Sequence, residues 1–235
     1  MTGWRARLGV IVPSSNIVVE TELPAYVPEG VSVHASRMAL EAVTSEALDS
    51  MSDRAVECAE LLSHADVDAV AYACTTGSLL HGPGFDEELE NDLTTAISGP
   101  AVATALSVDR AFKTLGAKRI AILTPYNEEL NERERVYFES AGYEIASISG
   151  LGIEDNTEIG ALTPENAYRQ VQETVSPNEV DAVFLSCTNY RTLSVIESLE
   201  SDLGVPVVTS NGATLWDLCR AAGVESEESG RLFRQ

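Results

Sequence analysis

Apolar residues are distributed along the chain in two kinds of run. Short, nearly continuous apolar stretches predict strands buried on both faces, as in a parallel sheet. Longer stretches in which apolar residues return every three or four positions predict amphipathic helices. Leu8 to Val12, closed by Pro13, is the first buried run. Ser14, Ser15 and Asn16 follow it as capping residues, opening a helix or turn over Ile17 to Glu22. Val31 to Ala35 predicts a second strand. A helix opens at Thr44-Ser45-Glu46 and runs to about His64, with Ala47, Leu48, Met51, Ala55, Cys58 and Leu62 on one stripe. Asp68 to Cys74 predicts a third strand, leading into the polar turn Thr75-Thr76-Gly77-Ser78. Gly82-Pro83-Gly84 punctuates, and Phe85 to Ile97 predicts a helix. Pro100 to Thr104 predicts a fourth strand, and Ala105 to Leu115 a helix ended by Gly116.

The second half replays this order. Arg7 to Pro13 returns as Arg119 to Pro125, 112 positions on, and Cys74 returns as Cys187, 113 positions on. Val205 to Thr209 mirrors Pro100 to Thr104. Between these landmarks fall a helix from Glu128 to Ala141, a strand from Tyr143 to Ile148 and a loop from Gly150 to Gly160. A helix capped by Thr163-Pro164-Glu165, one from Thr192 to Leu203 and one from Asn211 to Ala222 complete the half. The charged tail from Glu225 to Gln235 is expected to be only partly ordered. Alternating strands and helices predict an α/β protein. Landmarks repeating in register predict an internal duplication: two domains related by a pseudo-two-fold axis, each with a parallel four-stranded sheet. The expected division is 1–104 plus 210–235 against 105–209. In such sheets ligands bind beyond the carboxyl ends of the strands, where Cys74 and Cys187 both fall. The axis brings the two thiols to one cleft between the domains.

Composition narrows the function. The 235 residues carry a net charge of −22, which argues against nucleic acid and anionic membrane as partners. Only 2 of the 15 basic residues are lysines, Lys113 and Lys118. This acidic, lysine-poor pattern suggests a halophilic-type surface suited to high salt. Stability and activity are then expected to fall in salt-free buffer, and equal performance there would refute the idea. No run is long enough to span a membrane, and the N-terminal run is too short for a signal peptide, so a cytoplasmic location is expected. The four cysteines form no CxxC and the three histidines no ligand motif, so neither a disulfide framework nor a metal site is indicated. No phosphate- or dinucleotide-binding glycine motif is present.

Cys58 and Cys219 lie within helical patterns and read as core residues. Cys74 and Cys187 differ, because each ends an apolar strand and is followed by polar residues: Thr75 and Thr76 in one half, Thr188 and Asn189 in the other. A turn leading into a helix N-terminus offers backbone N–H groups that bind anions and lower a thiol pKa. Both turns therefore read as carboxylate cradles. Ser14, Ser15 and Asn16 add donors from the same rim, with plain helix capping as their alternative role. Tyr126, after Pro125, holds the matching place in the second half.

These residues resemble the Asp/Glu racemase superfamily, and within it the branch of maleate cis–trans isomerases and arylmalonate decarboxylases. The resemblance runs to about Gly223. It rests on Leu8 to Asn16 with Glu20 and Glu22, Cys74 to Ser78, Pro125-Tyr126 with Asn131-Glu132-Arg133, Leu151 to Ile153 with Asn156, Ser186-Cys187 and Gly204 to Val208. It implies a cofactor-independent isomerase of maleate or a related cis-dicarboxylate, working through a thioether on Cys74 with Cys187 as its partner. Asn16, Tyr126 and Asn156 are then carboxylate-binding residues. The decarboxylases resemble this chain but keep one cysteine, at the place of Cys187, with glycine at the place of Cys74. The remaining alternatives are a two-cysteine amino-acid or hydantoin racemase, an ectoine-utilisation protein and, least favoured, a non-enzymatic binding protein. A homo-oligomer, dimeric or higher, is also expected.

Overall fold

A computed structural model describes residues 2–39, 45–82, 84–226 and 230–235. The first half runs β1 (Ala6–Pro13), α1 (Val19–Tyr26), β2 (Val31–Met38), α2 (Ser45–Ser63), β3 (Ala69–Tyr72), α3 (Thr75–His81), α4 (Phe85–Ile97), β4 (Ala101–Ala103) and α5 (Thr104–Leu115). The second runs β5 (Arg119–Thr124), α6 (Glu128–Ser140), β6 (Glu144–Gly150), α7 (Asn156–Ala161), α8 (Pro164–Thr174), β7 (Ala182–Leu185), α9 (Ile196–Leu203), β8 (Val207–Thr209) and α10 (Ser210–Ala221). Thr44 and Pro83 lie outside the described residues, as do the side chains of Ala47, Leu48, Met51 and Ser78.

Two four-stranded sheets form, in the orders β2-β1-β3-β4 and β6-β5-β7-β8. All paired strands are parallel. The acidic residue before each cysteine strand sets its register. Arg7 N–H donates to Asp68 Oδ2 at 2.7 Å while Asp68 N–H donates to the Arg7 carbonyl at 2.7 Å. In the other sheet Arg119 N–H donates to Asp181 Oδ2 at 2.8 Å and Asp181 N–H returns to the Arg119 carbonyl at 2.7 Å. Two identical clasps at equivalent places are what the sequence repeat requires.

Alternation along the strands explains why they read as continuous apolar runs. Leu8, Val10 and Val12 face one core with Ala121, Leu123, Val183 and Leu185 of the other sheet. Ile11, Val70 and Tyr72 face the opposite side, under α2 and α4. Ile120, Ile122 and Phe184 pack beneath α5, α6 and α10 with Phe112, Phe138 and Trp216. Both sides of each sheet are covered, so no polar face remains to break the pattern.

Three local expectations are corrected. No helix follows Cys187 directly. A turn over 188–190 comes first, then a 3₁₀ turn at Leu193–Val195, and α9 starts only at Ile196. The loop from Gly150 to Gly160 contains the short helix α7, whose N-cap Asp155 accepts from the N–H groups of Thr157 and Glu158. In the tail, residues 230–233 pack onto the fold, while Arg234 and Gln235 are exposed. Arg231 N–H donates to Glu200 Oε2 at 2.9 Å, and Leu232 is buried against the α5–α10 core. No helix among the described residues is long and apolar enough to cross a membrane.

Candidate active site

The carboxyl ends of β1, β3, β5 and β7 open onto a cavity of about 570 Å³. Cys74 and Cys187 line it with Pro13, Ser15, Asn16, Thr75, Thr76, Tyr126, Asn156, Thr188 and Asn189. Asn127, Glu129, Leu130, Ile153, Glu154, Asp155, Thr157 and Ile159 complete the wall. None of these is a lysine or arginine, so an anion here is met by amide and hydroxyl donors alone. Among the described residues no cluster of histidine, cysteine and carboxylate side chains could hold a metal ion.

Cys74 sits between β3 and α3 and is 3% exposed. Burial pushes its thiol pKa up. Four donors oppose that rise: the Thr76 hydroxyl, the Gly77 N–H, the Tyr72 hydroxyl and the Thr76 N–H. The helix-terminus argument from sequence thus identifies a real influence, but desolvation outweighs it and the resting group is a thiol. Room for Tyr72 comes from Gly77, where an added Cβ would stand 2.3 Å from the Tyr72 hydroxyl. Tyr72 is itself 1% exposed and has nowhere to go. Gly77→Ala is expected to cost about 1–3 kcal/mol by overpacking and to slow alkylation of Cys74. Thermal unfolding and thiol-modification rates check both effects.

Cys187 has a backbone φ of 98°, a region L-residues rarely adopt. Its surroundings enforce this. Cys187 N–H donates to Ser210 Oγ at 3.0 Å, Tyr190 N–H donates to the Cys187 carbonyl at 3.2 Å, and Asn189 N–H points at Cys187 Sγ at 3.3 Å. Burial pushes this thiol up to about 12, against the opposing Tyr126 hydroxyl and Asn189 N–H; the nearby Cys74 and Glu134 add to the rise. Burial thus keeps both thiols protonated, with four opposing donors at Cys74 and two at Cys187. Strain at a reactive residue costs stability. Cys187→Gly is therefore expected to unfold about 2–4 °C above Cys187→Ala, although both lose the thiol; calorimetry decides.

One hydroxyl links the two cysteine turns. Ser210, at the start of α10, accepts from Cys187 N–H and lies 3.0 Å from Thr75 Oγ1. It therefore ties the Cys187 turn to the first residue after Cys74. Further links cross between the halves. Asn16 Oδ1 accepts from the N–H groups of Val18 and Val19 at 2.9 and 3.0 Å, which fixes the amide so that Nδ2 donates to Thr188 Oγ1 at 3.2 Å. Thr188 in turn donates to the Ala73 carbonyl at 3.1 Å. Asn156 Nδ2 donates to Ser15 Oγ at 2.7 Å, and Asn189 Oδ1 accepts from Ile17 N–H at 2.9 Å. Tyr126 is 4% exposed and burial keeps it a phenol, with the Cys187 sulfur beside its hydroxyl.

Ten of the eleven residues singled out in the sequence meet in the cavity; Ser14 does not. It is exposed, and its backbone joins β1 to β2 by donating to the Met38 carbonyl at 2.7 Å. Asn16 caps the turn through Oδ1 and reaches across to Thr188 through Nδ2. Sequence reasoning did not reach Ser210 or Asn127, nor the acidic side chains of Glu129, Glu154 and Asp155 at the wall, and it met Ile153 only as part of a resemblance. It saw Glu22 only as part of a resemblance. The Glu22 carboxylate is buried and accepts from the N–H groups of Thr192 and Leu193 at 2.8 Å each and from Asn211 Nδ2 at 2.6 Å. Asn211 Nδ2 also donates to the Thr188 carbonyl at 3.1 Å, so Glu22 braces the Cys187 turn from behind.

A two-thiol cavity between duplicated α/β halves defines a class of fold and site, and comparison with known proteins gives that class a family. The family model described as arylmalonate decarboxylase matches residues 8–233. A maleate isomerase from Geobacillus stearothermophilus is 33% identical, the match covering 94% of this chain and 93% of the relative. The crystal structure of the maleate isomerase from Pseudomonas putida S16 is 31% identical, with a TM-score of 0.91 over 97% of this chain and 98% of that one. A Nocardia farcinica maleate cis–trans isomerase variant, solved with a covalently bound succinylcysteine intermediate, is 28% identical, with a TM-score of 0.91 over 98% of each chain. The chain belongs to the arylmalonate decarboxylase family, in the branch that holds the maleate isomerases.

Proposed function

We propose that this protein converts maleate, or a closely related cis-dicarboxylate, to the trans isomer by reversible addition of Cys74 to the double bond. The observation that carries this reading is the pair of buried thiols facing one cavity whose wall offers amide and hydroxyl donors and no cation. The Nocardia relative trapped as a succinylcysteine adduct supports it.

Rotation about C2–C3 requires that the double bond be broken for a time. The Cys74 sulfur bonds to C2 as its proton leaves, and the π electrons move to C3. Cys187 delivers its proton to C3, and the proton released by Cys74 replaces it on the Cys187 sulfur. The adduct is a succinyl thioether joined by a single bond, about which the carboxylate arms turn. Reversal expels the trans product and restores both thiols. The balance is neutral, so two thiols that burial keeps protonated suit it. Charge that builds on the carboxylate beside C3 is met by preorganised donors: Asn16 Nδ2, the Tyr126 hydroxyl and the hydroxyls of Thr75 and Thr76. Ser15, Asn156, Thr188 and Asn189 complete the cradle and hold its shape.

The test is to add purified protein to maleate and follow fumarate by proton NMR. Racemisation of aspartate, glutamate and hydantoins and decarboxylation of arylmalonates are assayed in parallel. Fumarate formation with the other arms silent supports the reading. Turnover in another arm without fumarate replaces it.

A further inference from the structure

Behind the cavity, on the inner face of α6, Glu134 is fully buried. Neither of its carboxyl oxygens has a hydrogen-bond partner, and the Ser186 hydroxyl, also fully buried, has none either. Ser186 immediately precedes Cys187, and its side chain is the one that bears on the Glu134 carboxyl. The Glu134 charge is felt by Cys187, after β7, and by Tyr126, after β5. On its α4 side α6 meets Asp86, which accepts from Tyr137 at 3.0 Å, and Cys74 lies across the cavity, coupled to both Tyr126 and Cys187. No lysine or arginine pairs with Glu134 among the described residues. An ionised carboxylate here would have no cation, no water access and no donor beyond the Ser186 hydroxyl, and would face a sulfur that must carry negative charge as it gives up its proton. Carboxyls so placed stay neutral.

We propose that Glu134 is a positioning residue that must remain protonated for Cys187 to act, so that ionisation of this one buried carboxyl sets the alkaline limit of the reaction. The proposal rests on the isomerase reading. Burial pushes the Glu134 carboxyl up to about 8, with the Ser186 hydroxyl opposing. Between 4.5, its ordinary value, and about 8 the folded chain holds a proton that the unfolded chain has released. The folded state therefore loses stability as pH rises through that window.

The experiment compares wild type with Glu134→Gln, which cannot ionise. Wild-type kcat is expected to fall about tenfold between pH 7 and pH 9. Glu134→Gln, slower than wild type at pH 7 by a few-fold because an amide orders its donor and acceptor differently, is expected to lose nothing further up to pH 9. An unchanged alkaline limb in folded Glu134→Gln overturns the proposal, as does complete inactivity at every pH. Should that variant fail to fold, Glu134→Leu takes its place under the same criteria. A second arm needs no turnover. The Tm difference between wild type and the variant should shift against wild type from pH 5 to pH 8, and a flat difference overturns the proposal. If wild type makes no fumarate, the isomerase reading fails while this arm still tests whether Glu134 is held neutral.

Discussion

Cys74→Ala is expected to lower the isomerisation rate by about 10⁴-fold or more. The expectation follows from the bond the reaction must make. With no sulfur at this place nothing adds to C2, and the double bond keeps its order in the cavity. Cys187 does not substitute, because burial pushes its thiol up to about 12 and keeps it protonated. It also faces the cavity from the other half, on a strained turn fixed by Ser210 and Asn189. The fold should survive, since Ala73 N–H still pairs with the Ile11 carbonyl and α3 still begins at Thr75. The measurement is the fumarate signal at matched protein concentration, together with circular dichroism to show an intact fold. Substantial turnover in the variant would refute covalent addition by Cys74. Racemisation would also stop in this variant, so the loss gains its meaning from the substrate assay and not alone.

Much of this architecture was legible because parallel sheets leave a strong trace. The inner strands are buried on both faces, so runs such as Ala182 to Leu185 contain nothing polar, and Ser186-Cys187 marks where the strand ends. The repeat was legible for the same reason, since Asp68 and Asp181 occupy the one place where a carboxylate can clasp the neighbouring strand. What stayed hidden depends on contacts far apart in the chain. Nothing near Ser210 signals that its hydroxyl serves residues 75 and 187 together. Glu134 sits in a stretch crowded with charged side chains, where burial of one among them has no local sign. The thiol pKa was misjudged in direction because local sequence reports the helix end at Thr75 but not how deeply the cavity excludes water. Leu232 belongs to a core that α10 shares with α5, more than a hundred residues earlier, and the charged residues before it disguise that.

Cys187→Ser is expected to slow turnover by about 10²–10⁴-fold, the usual worth of a positioned acid–base group, and to leave the succinyl adduct standing on Cys74. Serine keeps the size and the hydrogen bonds of the turn, so the strained backbone persists. What changes is the acid: a hydroxyl surrenders its proton to C3 far less readily than a thiol and recovers it more slowly in the return step. If the second step suffers more, the adduct accumulates, and intact-protein mass spectrometry after acid quench should find a mass increase equal to one maleic acid. Peptide mapping should locate it at Cys74. The Nocardia isomerase carrying a succinylcysteine is the precedent in structure. If no adduct appears on Cys74 while turnover is lost, Cys187 acts before the carbon–sulfur bond forms, and its proton is then needed to draw charge onto C3 during the attack. If turnover is unimpaired, the two thiols do not divide the work, and the different donors around them, Tyr126 and Asn189 on one side and Tyr72, Thr76 and Gly77 on the other, have no part in the chemistry.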